Sequence, residues 1–313
     1  MAYAGGAGHF YEAYYLICND PGRGLGFWFR YTLLNPLERH AASGPCLWAA
    51  FCDRQRPERN LALKRSTPGG AIRPGPDGLG LTVGHAAIGD RTAFGALEQD
   101  GRSIEWDLTW DGELNDYAGV PPTLARLIKP HVGVLFPYLG ARFSGRVVVD
   151  GERIDLDGLW GHQAHHWGRS QTTSWSWGYA CEFPDEPGAT LFVLKPSFAR
   201  GRVCPVMCYP RMAGRQWVLW DPRGTGRAEG EPPGRWTFEA RSARRRARMI
   251  FTAEPGTAVG FTYHTPSYAT TVCKNSPLCR VDATLWERSH PLASWREVVR
   301  RQGWGTAEKA RPE

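Results

Sequence analysis

Between Gly158 and Phe183 the chain reads Gly-Leu-Trp-Gly-His-Gln-Ala-His-His-Trp-Gly-Arg-Ser-Gln-Thr-Thr-Ser-Trp-Ser-Trp-Gly-Tyr-Ala-Cys-Glu-Phe. Three of the nine histidines (His162, His165, His166) and four of the fourteen tryptophans (Trp160, Trp167, Trp175, Trp177) fall here. The first part, Gly158 to Gly168, is spaced by glycines and has no period. From Trp175 the sequence alternates. On a strand Trp175, Trp177, Tyr179, Cys181 and Phe183 share one face, while Ser174, Ser176, Gly178, Ala180 and Glu182 share the other. One side is an aromatic wall and the other is small, ending in a carboxylate. A mostly apolar surface with a few placed polar groups is what a ligand pocket requires.

Outward from this stretch the same alternation recurs. Ile104, Trp106, Leu108 and Trp110 alternate with Glu105, Asp107 and Thr109. Asp-Gly pairs at 77–78, 100–101, 111–112, 150–151 and 157–158 suit tight hairpin turns. Across Asp150-Gly151 a two-residue turn sets Val147 opposite Ile154 and Arg146 opposite Asp155, with the apolar pair and the ion pair on opposite faces. Runs at 26–34, 47–53 and 61–65 read as an N-terminal meander. Further strands are expected at 190–195, 203–209, 216–220, 235–240, 244–252, 259–264 and 268–273. Helices are expected only at Pro121 to His131 and near the C-terminus, Leu285 to Arg301, with a frayed tail from Gly303. About fifteen short strands against so few helices make an all-β protein. That number suits two barrels, or a barrel with a packed sandwich. The seam falls at 158–173, dividing the chain into 1–165 and 166–313.

Composition narrows the function classes. With 42% apolar and 22% charged residues this is a folded chain. There is no run of eighteen apolar residues for a membrane helix and no signal-peptide pattern at Met1. Eight cysteines lack paired metal spacing and fit a reduced, cytoplasmic protein. The net charge of +7 comes partly from Arg244-Arg-Arg-Ala-Arg. On a strand Ala243, Arg245, Ala247, Met249 and Phe251 share one face while Arg244, Arg246 and Arg248 form a solvated edge, so no nucleic-acid partner is implied. No nucleophile elbow, dinucleotide fingerprint or phosphate loop is present, and the expected cofactor is none. His162, His165 and His166 lack the acidic or thiol neighbours of a zinc site, so no metal is expected. An imidazole suits proton transfer near neutral pH. Glu182 is an acid with a raised pKa if its face is the pocket, and a surface residue if the tryptophan face is. An aromatic wall stabilises a developing carbocation.

Gly161-His-Gln-Ala-His-His-Trp-Gly followed by Trp175-Ser-Trp resembles the His-x-Trp-Gly … Trp-x-Trp signature of the carotenoid 1,2-hydratase / AttH-like group, which includes tocopherol cyclase-like proteins. Phe143-Ser-Gly-Arg-Val-Val-Val-Asp-Gly and Ser289-His-Pro-Leu-Ala-Ser-Trp add to it. The resemblance implies two lipocalin-like β-barrel or barrel-sandwich domains. It further implies acid-assisted hydration or cyclisation of a double bond in a hydrophobic, isoprenoid- or polyketide-like molecule. The expected catalytic residues are His165, His166 and Glu182. The expected substrate-binding residues are Trp160, His162, Trp167, Trp175, Trp177 and Tyr179. Where relatives often place an acidic residue before the signature histidine, this chain has Ala164 and His165. The acid then comes from Glu182, Asp157 or Glu105, or the chain is a non-catalytic carrier of a hydrophobic molecule. The oligomeric state is not legible.

Overall fold

A computed structural model describes residues 10–35, 44–67, 72–74, 80–114, 132–169, 172, 174–197, 204–230, 234–264 and 270–313. Apart from one 3-10 turn at Pro57–Arg59, the regular structure among them is strand. The first sheet comprises β1 (Phe10–Asp20), β2 (Leu25–Asn35), β3 (Gly44–Asp53), β4 (Leu61–Ser66), β5 (Ile72–Pro74) and β6 (Leu81–Val83). It continues through β7 (Ala86–Ile88), β8 (Thr92–Gln99), β9 (Arg102–Gly112), β10 (Val132–Val149) and β11 (Glu152–Gly168). The second comprises β12 (Ser174–Glu182), β13 (Thr190–Ser197), β14 (Val206–Met212), β15 (Arg215–Gln216), β16 (Leu219–Asp221) and β17 (Thr225–Glu229). It ends with β18 (Arg235–Arg241), β19 (Arg245–Ala253), β20 (Val259–His264), β21 (Thr270–Glu287) and β22 (Arg296–Pro312).

Each sheet has eleven strands and curls on itself. The first strand of each pairs with the last, β1 with β11 and β12 with β22, in antiparallel register. In the first sheet the curl brings β4 against β8, where Arg65 donates to the Glu98 carbonyl at 2.7 Å. Each curl encloses its own core: Phe27, Phe29, Trp106 and Phe143 in the first, Trp217, Trp236, Met249 and Phe251 in the second. A third apolar layer lies between the sheets. There Tyr15, Trp28 and Trp48 of the first meet Trp177, Phe192 and Phe261 of the second.

This layering accounts for the sequence patterns. β9 faces solvent on one side, so Ile104, Trp106, Leu108 and Trp110 are buried and the residues between them exposed. β1, β2, β3 and β12 are covered on both faces, one by a barrel core and one by the other sheet, and are buried along nearly their whole length. The turn at Asp150-Gly151 has positive φ at both residues (49° and 83°), and Val147 lies opposite Ile154 as its register predicts. Asp100-Gly101 repeats the geometry. Asp157-Gly158 does not turn; it lies inside β11 at a register shift against β10, and 77–78 lies outside the described residues.

Several expectations need correction. The C-terminal helix is instead the end of β21, a loop and the start of β22. Val281, Ala283 and Leu285 enter the second core at every second residue, and Leu292, within the expected helix, is 92% exposed in the loop. The supposed frayed tail is β22, which pairs with β12 on one side and β21 on the other. The arginine run lies on β19, an interior strand between β18 and β21; Arg246 and Arg248 cover a face and meet Glu239 at 3.4 Å. The aperiodic glycine-spaced stretch is regular β11, and the division at 165/166 falls inside it; the chain changes sheets between Gly168 and Ser174. The helix expected at Pro121 to His131 lies outside the described residues. No described helix is long and apolar enough to cross a membrane.

Candidate active site

Because β11 is a strand, its three histidines divide between two faces. His162 and His166 point between the sheets, and His165 points to the first barrel. His162 is fully buried against Tyr179 (3.9 Å between centroids) and Trp177 (5.7 Å). Neither ring nitrogen has a hydrogen-bond partner, and burial pushes its pKa down to about 3. His165 Nε2 lies 2.9 Å from Glu12 Oε1, its ring stacked on Tyr14 (3.9 Å) and Trp167 (4.6 Å). Tyr14 also donates to Glu12 at 3.0 Å. Burial lowers the pKa of His165, and Glu12 opposes that.

His166 lines a cavity of ≈ 90 Å³ between the sheets, together with Tyr15, Arg30, Trp175, Trp177 and Glu308. Its Nε2 is 3.3 Å from the Tyr15 hydroxyl. Burial, and then the charge of Arg30, hold the imidazole well below its ordinary pKa, so it is neutral. Burial likewise keeps Tyr15 a neutral phenol. The carboxyl of Glu308 enters from β22. Oε1 accepts from Trp175 Nε1 at 2.6 Å, and Oε2 accepts from Asn275 Nδ2 at 3.1 Å, with Cys273 Sγ at 3.6 Å. Burial raises its pKa, against the Trp175 hydrogen bond, the Arg30 charge and the Asn275 hydrogen bond. The cavity therefore sets a carboxyl group of raised pKa beside a neutral imidazole and two indole rings. Divergent pKa values in one site are the arrangement for acid–base work.

Other residues from the sequence reading lie elsewhere. Tyr179 is buried between the sheets and donates to the Gly161 carbonyl at 3.2 Å and to that of Leu139, tying β12 to the first sheet. Trp160 sits beneath the Arg142 guanidinium at 3.8 Å, and Trp167 stacks on the barrel side of β11. Glu182 is seven residues along β12 from Trp175, roughly 23 Å on a strand. A register shift between Ala180 and Glu182 breaks the alternation. Phe183 consequently joins the second core, not the aromatic wall, and Glu182 turns toward Asp20 and Arg142. Burial, then Asp20, raises the Glu182 pKa to about 7 against Arg142. Asp157 and Glu105 are exposed. Among the described residues no three His, Cys, Asp or Glu side chains gather as metal ligands.

Glu308, Arg30, Tyr15 and the Glu12–His165 pair were missed by the sequence reading. Thr306, Glu308 and Ala310 fall at every second position, and a carboxylate between a threonine and an alanine was the available signal. Arg30 is one charge inside an apolar run, Leu25 to Leu34, a second signal of the same kind.

No family model and no curated protein matches the sequence. Solved structures do match over nearly the whole chain. Kievitone hydratase from Nectria haematococca is 14% identical, covering 96% of this chain and 88% of that one, with a TM-score of 0.53. CghA with Sch210972 is 12% identical, covering 97% and 88%, with a TM-score of 0.57. A putative AttH from Nitrosomonas europaea is 10% identical, covering 96% and 92%, with a TM-score of 0.57. At such identities the likeness is one of fold. The chain has the all-β, lipocalin-like fold of kievitone hydratase, CghA and the putative AttH, which is the fold that its resemblance to the carotenoid 1,2-hydratase / AttH-like group implies.

Proposed function

We propose that the chain is a cofactor-independent enzyme that protonates a carbon–carbon double bond in a hydrophobic, isoprenoid- or polyketide-like substrate and completes its hydration or cyclisation. Glu308 carries this reading: a buried carboxyl of raised pKa, held by Trp175 and Asn275 in a cavity shared with neutral His166. The protonated Glu308 carboxyl gives its proton to one alkene carbon, and the other carbon becomes cationic. The ring faces of Trp175 and Trp177 stabilise that charge. Water, or a second group of the substrate, then adds to the cation, and the proton released passes to His166. Proton exchange with solvent restores both groups. The cavity of ≈ 90 Å³ is well below the ~300 Å³ of a small whole-ligand site. It takes the reacting end of a substrate, and the remainder extends beyond it.

A carrier needs only apolar walls. The convergence of Glu308, His166 and Arg30 supports catalysis over carriage. The same reading treats the two sheets as two lipocalin-like domains joined through 169–173. It places the protein in the cytoplasm, a setting that eight buried free cysteines suit. The test is product formation from a panel of isoprenoid and prenylated phenolic alkenes. Wild type should form a hydrated or cyclised product, while Glu308→Gln and His166→Ala each lose it. Binding without turnover by wild type would mark the protein as a carrier, and turnover unchanged in both variants would remove the proton-transfer assignment.

A further inference from the structure

Arg30 is a charge of the inter-sheet layer that no ion pair among the described residues balances. β2 puts it on the face that also carries Trp28, and its guanidinium borders two spaces. One is the ≈ 90 Å³ cavity with His166 and Glu308. The other, ≈ 30 Å³, is lined by Lys64, Cys46, Ser66, Tyr263 and His264. The guanidinium lies 4.9 Å from the Tyr263 ring centre and 5.9 Å from that of Trp48. Its Nε is buried without a hydrogen-bond partner. Among the described residues no carboxylate forms an ion pair with it. Glu308 shares the cavity, but its oxygens are engaged by Trp175, Asn275 and Cys273. A second cation stands close by: Lys64 Nζ lies 4.2 Å from the Trp48 ring centre and donates to the Thr262 carbonyl at 2.9 Å.

We infer that Arg30 receives a planar anionic oxygen group of the substrate, a carboxylate or an enolate, so that the substrate is an acidic alkene and not a neutral hydrocarbon. This rests on the reading of the cavity as a substrate site and names the class of molecule it takes. A guanidinium presents Nε–H and an Nη–H in one plane, matched to two anionic oxygens. Ring faces at Tyr263 and Trp48 fix that plane before binding. A neutral hydrocarbon takes water from the guanidinium without offsetting its charge and offers its N–H donors no acceptor, both of which cost binding free energy. An anionic oxygen satisfies both, and the apolar chain then lies along Trp175 and Trp177 toward Glu308.

The probes are geranic acid and geraniol, which share a carbon skeleton and differ in the anionic group. They are titrated calorimetrically into the full chain at about pH 8, where a carboxylic acid is ionised. Geranic acid should bind wild type at least about tenfold more tightly than geraniol, the scale of a charge-assisted hydrogen bond. Arg30→Gln should bring geranic acid to the level of geraniol and leave geraniol unchanged, and Arg30→Lys should keep part of the preference. Equal affinities in wild type, binding of neither probe, or a preference that survives Arg30→Gln would overturn the inference. If circular dichroism shows Arg30→Gln unfolded, the wild-type ratio and Arg30→Lys decide. Glu308→Gln separates the two proposals. It should keep the preference for geranic acid while losing turnover; turnover retained with the preference intact removes the acid and leaves the Arg30 subsite.

Discussion

Of the ionisable groups that burial shifts from their ordinary ranges, Glu308, Glu182 and His162 each give a signed expectation. Glu308 must be protonated to act, and burial raises its pKa. Turnover should therefore hold on the acid side and fall as pH rises through the folded-state value. Glu308→Gln should lower turnover by about 10²–10⁴-fold, the worth of a positioned acid. Glu182, raised from 4.5 to about 7, affects stability instead. Between those values the folded chain holds a proton that the unfolded chain has released, so stability declines as pH rises across the window. Melting curves of Glu182→Gln against pH should lack that decline, with turnover unaffected. His162 has the opposite sign. Its folded value of about 3 lies below the ordinary 6.5, so stability is full above 6.5 and is lost as pH falls toward 3. His162→Phe should resist acid better than wild type by on the order of a few kcal/mol, measured by urea unfolding at low pH.

Among the elements β12 shows best what sequence can and cannot specify. Its period of two put Trp175, Trp177 and Tyr179 on one face, where they are found between the sheets. The opposite face is small because it packs on the second core: a Cβ on Gly178 would sit 2.6 Å from the Phe251 ring. Gly178→Ala should cost about 1–3 kcal/mol through overpacking, read as a lower thermal midpoint. The shift after Ala180 was not legible, because a bulge is set jointly with the partner strand β22 and leaves no mark in β12 alone. β9 and the hairpin of β10 and β11 were legible because one face of each meets solvent. β22 was not. Its inward residues include Thr306 and Glu308, which read as a polar tail until β12 and β21 are seen on either side. The face of the histidines followed once β11 was known to be a strand; the Glu12 partner of His165 comes from 153 residues away and no local pattern announces it.

At the scale of the molecule the two curled sheets are joined by a shared apolar layer, and the site is built within it. Trp177 touches Tyr15 (6.3 Å between centroids) and His162 (5.7 Å) of the first sheet and Phe192 (6.3 Å) of its own. Trp177→Ala should cost about 3–5 kcal/mol. Because the layer is common property, denaturant unfolding followed by fluorescence and by circular dichroism should give coincident transitions in wild type. The placement also explains how one cavity gathers residues far apart in sequence. Tyr15 and Arg30 come from the strands that open the first sheet, His166 from the one that closes it, Trp175 and Trp177 from the start of the second, and Glu308 from its end. The claim that this seam is where a double bond is protonated, by Glu308, is tested most directly by turnover in D₂O with the product examined by NMR. Wild type and Glu182→Gln should place one deuterium on a former alkene carbon, and Glu308→Gln should place none. Deuterium incorporated by Glu308→Gln as by wild type would contradict it.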